Sequence, residues 1–220
     1  MTDLAPKKPV HVRIATKWQE AWCAPFALEG FLSIGVLAAV LTFMAHFLDR
    51  VELRPGFMFD DPVLSLFQAG DMTWVTFGMI YCALAGTAWA LLHEPKRLWF
   101  TLQAYSLLLI FRAIAMSMLP LDPPIGMIVL QDPVVEYFGN AASPLTKDLF
   151  FSGHTSTMFL LALVMPDRRV KPLMYAATLL VGACVLYQKV HYTVDVVAAP
   201  FFAYGAFRMM GGIREKVGLD

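Results

Sequence analysis

The sequence predicts an all-α membrane protein built as a six-transmembrane-helix bundle. Three observations predict it. Of 220 residues, 58% are hydrophobic and only 15% charged, with a mean hydropathy of +0.60; soluble domains carry about 25% charge and about 45–50% apolar residues. Six apolar runs follow one another, most of them near the ~20 residues that a helix needs to cross a ~30 Å hydrocarbon core. Lysine and arginine are distributed unequally between alternate connecting segments.

Residues 1–24 form a basic leader, residues 25–210 the helical domain and residues 211–220 a short tail. In the leader, Ile14, Trp18 and Trp22 fall at i, i+4, i+8, with Arg13, Lys17 and Glu20 elsewhere around the wheel. That pattern fits an interfacial helix over Pro9 to Ala24; a frayed basic leader fits equally. No small-residue cleavage site follows the first apolar run, so a cleaved signal peptide is not expected.

The first span runs from Pro25 to Leu48 with Glu29 near its start. The second runs from Met72 to Leu92 without a charge, and the third from Leu98 to Leu119 with Arg112 inside it. The fourth is Leu149 to Met165, the fifth Pro172 to Gln188 and the sixth His191 to Met210. His46 reads as a satisfied polar core residue, and Cys23, Cys82 and Cys184 as small buried apolar residues outside any CxxC.

An even number of spans puts both termini on one side. Twelve of the seventeen Lys and Arg residues fall on that side and four on the other, with Arg112 inside a span. The positive side is therefore expected to be cytoplasmic. Segments 49–71 and 120–148 and the turn at 189–190 would face the periplasm or extracellular space in a bacterium, or a lumen in a eukaryote, and a bacterial inner membrane is the expected location. The 120–148 segment, with Pro120, Pro123, Pro124, Pro133 and Pro144, reads as an irregular surface loop long enough to serve as a lid. Zero formal net charge gives no sign of a nucleic-acid partner. The expected partners are membrane lipids, and the oligomeric state stays open.

Ionisable groups inside spans are functional candidates. His154 lies in Phe151-Ser152-Gly153-His154-Thr155 at the start of span four. His191 and Asp195 lie at i, i+4 at the start of span six, on one helix face. A carboxylate there can accept from one imidazole nitrogen and fix the other as a nucleophile or base. Span four descends and span five returns, so His154 and His191 reach similar depth. Arg112 suits a phosphate through bidentate hydrogen bonds; the alternative is an ion pair with Glu29 or another acid. Asp148 and Glu136 are functional or simply solvated loop acids. Two histidines and an aspartate also make a zinc site conceivable, but no metal or other cofactor is expected.

The segment Lys147-Asp148-Leu149-Phe150-Phe151-Ser152-Gly153-His154-Thr155, followed by His191-Tyr192-Thr193-Val194-Asp195-Val196, resembles the sphingomyelin synthase family within the type 2 phosphatidic acid phosphatase (PAP2) superfamily. The likeness covers about residues 110–205 and includes Arg112 upstream of Leu119-Pro120; a loop with Arg54-Pro55 and Asp61-Pro62 fits loosely. The resemblance implies a six-helix fold of that type, with His191 as a nucleophile that becomes a phosphohistidine. Asp195 would orient it, and His154 would act as general acid and then base. Ser152, Gly153 and the amides beginning helix four would hold phosphate oxygens, with Arg112, Lys147 and Lys189 neutralising charge and Asp148 beside them. Cys184 and Val185 stand where the superfamily's phosphatases carry a Ser-Arg pair, and the KxxxxxxRP element is absent, as in the synthase branch. Lys189 replaces that branch's second histidine.

The leading expectation is a phosphotransferase moving phosphocholine or phosphoethanolamine from a glycerophospholipid to ceramide or diacylglycerol. A hydrolase using the same residues is the alternative, and a non-catalytic transporter or scaffold the third reading.

Overall fold

The computed structural model describes residues 17–19, 26–132 and 145–219. Among these residues six longer α-helices follow in order: α1 (Phe26–Leu53), α2 (Thr73–Leu91), α3 (Pro95–Met118), α4 (Gly153–Val164), α5 (Lys171–Tyr187) and α6 (Thr193–Val217), with a short 3-10 turn at Leu64–Leu66 between α1 and α2. Four of them, α1, α2, α3 and α6, have the length and apolarity to cross a membrane. The expectation of six spans is corrected to four, because α4 and α5 have 12 and 17 residues.

The shortening has local causes. At 1.5 Å per residue α4 is ~18 Å long. It starts only at Gly153 because Ser152 is its N-cap, Oγ accepting from the Thr155 amide at 3.3 Å. Pro172 fixes the start of α5. Its end is a Schellman turn in which Val190 N–H donates to the Val185 carbonyl at 3.0 Å and Lys189 N–H to that of Leu186 at 2.9 Å. Lys189 takes the left-handed conformation usual for glycine there, with φ 54°.

The short α4 is the centre of the bundle. It packs on α5 and α6 and touches α2 and α3, whereas α1 lies at the periphery against α3. Ala104 of α3 and Ala199, Ala203 and Ala206 of α6 are fully buried together with Leu108, Leu160 and Val164. Small residues one turn apart let helix backbones approach closely, which drives packing where lipid removes the hydrophobic incentive. A second core joins Phe77 and Ile80 of α2, Met158 and Leu161 of α4 and Met174 and Val181 of α5.

The outward faces carry large apolar side chains: Phe31 on α1, Trp74 and Trp89 on α2, Leu179 on α5 and Phe201 on α6 are all more than 60% exposed. Apolar surface spread over every side of the bundle is what a lipid solvent requires.

Other expectations change in detail. His46 is exposed on α1, not a core residue. Cys184 is buried as expected, but Cys82 is exposed; Cys23 lies outside the described residues. The last helix continues to Val217, past Met210. Within the expected interfacial helix only residues 17–19 are described. They are helical, with Trp18 Nε1 donating to the Leu92 carbonyl at 2.8 Å and Lys17 paired with Glu94 at 2.7 Å. Ile14, Trp22, Glu136, Pro133 and Pro144 lie outside the described residues.

Over one end of the bundle the loops build a small core of their own from Leu64, Leu121, Leu149 and Tyr192. Phe57 and Leu121 form an isolated parallel bridge. Gly56 permits it: a Cβ there would stand 2.6 Å from the Leu121 carbonyl carbon.

Candidate active site

His154 and His191 meet at that roofed end. Their ring centroids are 6.1 Å apart with planes inclined by 62°. His154 is in the first turn of α4, and His191 sits two residues before α6. The lateral juxtaposition, which spacing could not supply, comes from the pairing of the two helix starts. Ser152 N–H donates to the Asp195 carbonyl at 3.1 Å, joining the motifs backbone to backbone.

His191 Nδ1 lies 3.4 Å from Asp195 Oδ2, with both side chains buried. The contact lacks the alignment of a hydrogen bond. Oδ2 accepts instead from the Tyr192 amide at 3.2 Å, as an N-terminal carboxylate of α6. The i, i+4 relation thus brings carboxylate and imidazole together without the hydrogen bond expected between them, and leaves Nε2 on the other edge of the ring. The Phe77 ring stands edge-on to His154 at 5.6 Å.

Arg112 reaches the same level from α3. It is buried, donates to the Phe151 carbonyl and pairs with Asp148. The acid it meets is therefore Asp148, not Glu29, which is paired with Arg214 at the opposite end. Gly153 lies directly against the guanidinium. The two expected lysines are held elsewhere. Lys147 Nζ pairs with Asp122 at 2.8 Å and donates to the Arg54 carbonyl at 2.7 Å; Lys189 Nζ lies 5.7 Å from the centre of the Phe67 ring. Ser152 is fully buried as a helix cap.

A cavity of about 540 Å³ opens beside this cluster, between α1, α2, α3 and α4. Arg112, Asp132, Asp148 and His154 line its polar end; Leu41, Leu84 and other apolar side chains line the rest. His191 is buried and is not on its wall, and its ring lies 6.1 Å from that of His154, which is. An apolar chamber ending in a few convergent polar groups suits a ligand with a charged head and apolar chains.

Three residues that the sequence did not single out as site residues hold these motifs in place. Asp61 accepts from the Thr193 amide at 2.6 Å and Thr193 Oγ1 at 3.1 Å, and from the amides of Val63 at 3.0 Å and Leu64 at 3.4 Å. Burial opposes its ionisation, but these hydrogen bonds prevail and hold its carboxyl below the usual carboxylate range. Glu52, at the end of α1, accepts from the amides of Thr146 at 2.9 Å and Lys147 at 3.0 Å, fixing the approach to α4. Gln188 ties α5 to the start of α2, accepting from Met72 N–H at 3.0 Å and donating to Thr73 Oγ1 at 3.1 Å. Their only signal in sequence is a polar residue at the border of an apolar run.

Among the described residues, no three His, Cys, Asp or Glu side chains form a group that could hold a metal ion. Helical membrane architecture and a pair of histidines at one end, His191 buried and His154 half-buried, define a helical membrane protein with a polar cluster beside an apolar chamber. Residues 147–211, which contain His154, His191 and Asp195, match the family described as PAP2 superfamily C-terminal. That stretch is similar to a superfamily of lipid phosphatases and phosphotransferases. No curated protein and no solved structure matches the chain.

Proposed function

We propose that the protein is a sphingomyelin synthase-like lipid phosphotransferase, moving phosphocholine or phosphoethanolamine from a glycerophospholipid to a lipid alcohol such as ceramide or diacylglycerol. The observation that carries this reading is the pair of histidines 6.1 Å apart beside an apolar chamber lined by His154 and Arg112. Donor chains would occupy the chamber, with the phosphate beside Arg112 and the start of α4, where unpaired amides favour anions.

In the first step His191 Nε2 attacks phosphorus, and the bond from phosphorus to the diacylglycerol oxygen breaks. His154 protonates that oxygen, since an alkoxide is a poor leaving group. Asp195, beside Nδ1, stabilises the positive charge that develops on the ring. In the second step the acceptor hydroxyl gives its proton to His154, its oxygen bonds phosphorus, and the N–P bond breaks. Water in the acceptor's place makes the same residues a hydrolase. The superfamily match supports a phosphatase or phosphotransferase in general. The charge distribution supports placing this end of the bundle on the periplasmic or exterior face.

The test is a phospholipid labelled in head group and acyl chain, incubated with the protein in mixed micelles with and without ceramide. Head-group label on ceramide, lost in His191→Ala, supports the transferase. Released head-group phosphate without ceramide dependence makes it a hydrolase, and no turnover with any donor favours a transporter or scaffold.

A further inference from the structure

At the end of the bundle away from the histidines, α1, α3 and α6 enclose a second cavity of about 410 Å³. Leu32, Val36, Leu107, Ile110 and Met210 make its wall apolar, and Glu29 lines it. Glu29 is 5% exposed, and every described partner is on one oxygen. Oε1 pairs with Arg214 and accepts from Gln103 Nε2 at 3.1 Å. Gln103 in turn donates to Ser33 Oγ at 2.8 Å and accepts from Arg214 at 3.0 Å. Oε2 is buried with no hydrogen-bond partner among the described residues.

We infer that this cavity is a binding site for a neutral membrane lipid bearing a free hydroxyl, whose O–H donates to Glu29 Oε2. Charge decides the class of ligand. The carboxylate is already balanced by Arg214, so a cationic head would leave a net positive charge in an apolar cavity and a phosphate a net negative one, and both are costly. A neutral donor satisfies the orphaned oxygen without unbalancing the pair. The wall is mostly apolar, and the Ser33 and Ser106 hydroxyls on it already donate to the Glu29 and Leu102 carbonyls, which calls for an aliphatic body. The surrounding solvent is lipid, so a diacylglycerol-like alcohol meets both demands. The site is independent of the phosphoryl-transfer reading: Gln103 is nine residues before Arg112 on α3, ~13 Å along the helix axis.

The experiment uses the full chain carrying His191→Ala, which removes turnover under the proposed mechanism, in phosphatidylcholine nanodiscs. The probe is a diacylglycerol with a diazirine in one acyl chain, compared with its acetate ester, which lacks the hydroxyl. Labelled peptides are mapped after irradiation. Labelling of residues 28–36 and 103–110 by the alcohol should exceed that by the ester roughly tenfold, the scale of one hydrogen bond to a charged acceptor. Ile110→Trp, which fills the cavity from a half-exposed position without touching the ion pair, should abolish the difference. Equal labelling by alcohol and ester, or labelling unchanged by Ile110→Trp, would show only lipid solvating a groove and would overturn the proposal. Glu29→Gln should also remove the preference; if that variant does not fold, the ester and Ile110→Trp comparisons decide.

Discussion

A Cβ on Gly153 would stand 2.8 Å from the guanidinium carbon of Arg112. The first residue of α4 is therefore the floor on which the buried arginine rests, one position before His154. A methyl group there forces the guanidinium away from the helix start. Gly153→Ala should lower turnover by about two orders of magnitude, the scale set by ångström displacements in a reaction centre. Circular dichroism of the purified variant should stay helical. Unchanged kinetics would separate Arg112 from the reaction.

His191→Ala should abolish transfer and His154→Ala should reduce it severely, both with the bundle intact. Asp195→Asn should retain slow turnover, lower by roughly 10²–10⁴, as expected for a carboxylate that orients an imidazole. Label from a head-group-labelled donor, trapped on the protein after alkali and lost in mild acid, is the signature of phosphohistidine. Its presence in His191→Ala would remove the nucleophile assignment.

Asp61 predicts an acid limb in stability. Its carboxyl is held below its ordinary value of 3.8 by hydrogen bonds from Thr193, Leu64 and Val63. The clamp is thus complete above that value and is lost as pH falls through the lower folded value. Thermal stability measured from pH 6 downward should fall less steeply in Asp61→Asn than in the parent below about pH 4. Parallel curves would show that the clamp does not contribute.

Lys189 occupies the left-handed position of a Schellman turn with φ 54°. A β-carbon there costs ~1–2 kcal/mol, partly offset by the greater freedom of glycine in the unfolded chain. Lys189→Gly should therefore raise stability by about 0.5–1 kcal/mol, read as a higher melting temperature in detergent. A fall in turnover alongside that gain would show that the ammonium group is kept for the reaction.

Ile125 is 78% exposed in the segment over the histidine end. With Cys82 changed to Ala, an Ile125→Cys substitution should react with an impermeant thiol reagent in intact cells. Labelling only after permeabilisation would reverse the proposed orientation.

The lengths of the apolar runs are enough to locate the six helices, because runs bounded by Pro and charge leave little freedom in helix placement. They miss where α4 begins. Leu149, Phe150 and Phe151 are as apolar as the helix that follows, and only the cap made by Ser152 ends the irregular segment. They also miss where α6 ends. The stretch from Gly211 to Lys216 is too polar to count as a span, yet it stays helical, and Arg214 within it pairs with Glu29 across 185 residues. The chemistry-bearing residues were legible as motifs, and their common depth followed from chain direction. Asp61 and Glu52 were not, because a loop acid that holds backbone amides looks in sequence like any solvated one. The partner of Arg112 could be narrowed to an acid but not named, since ion pairing between helices is decided by lateral packing.

The hydrogen bond from Ser152 N–H to the Asp195 carbonyl has an evolutionary consequence. It is written in main-chain atoms, so no replacement of a side chain other than by proline deletes its donor or acceptor. The spacing of the two histidines is in that respect buffered against mutation, while the chamber wall is made of side chains and can change freely. A change in the chamber lining therefore leaves the joint between the two motifs intact.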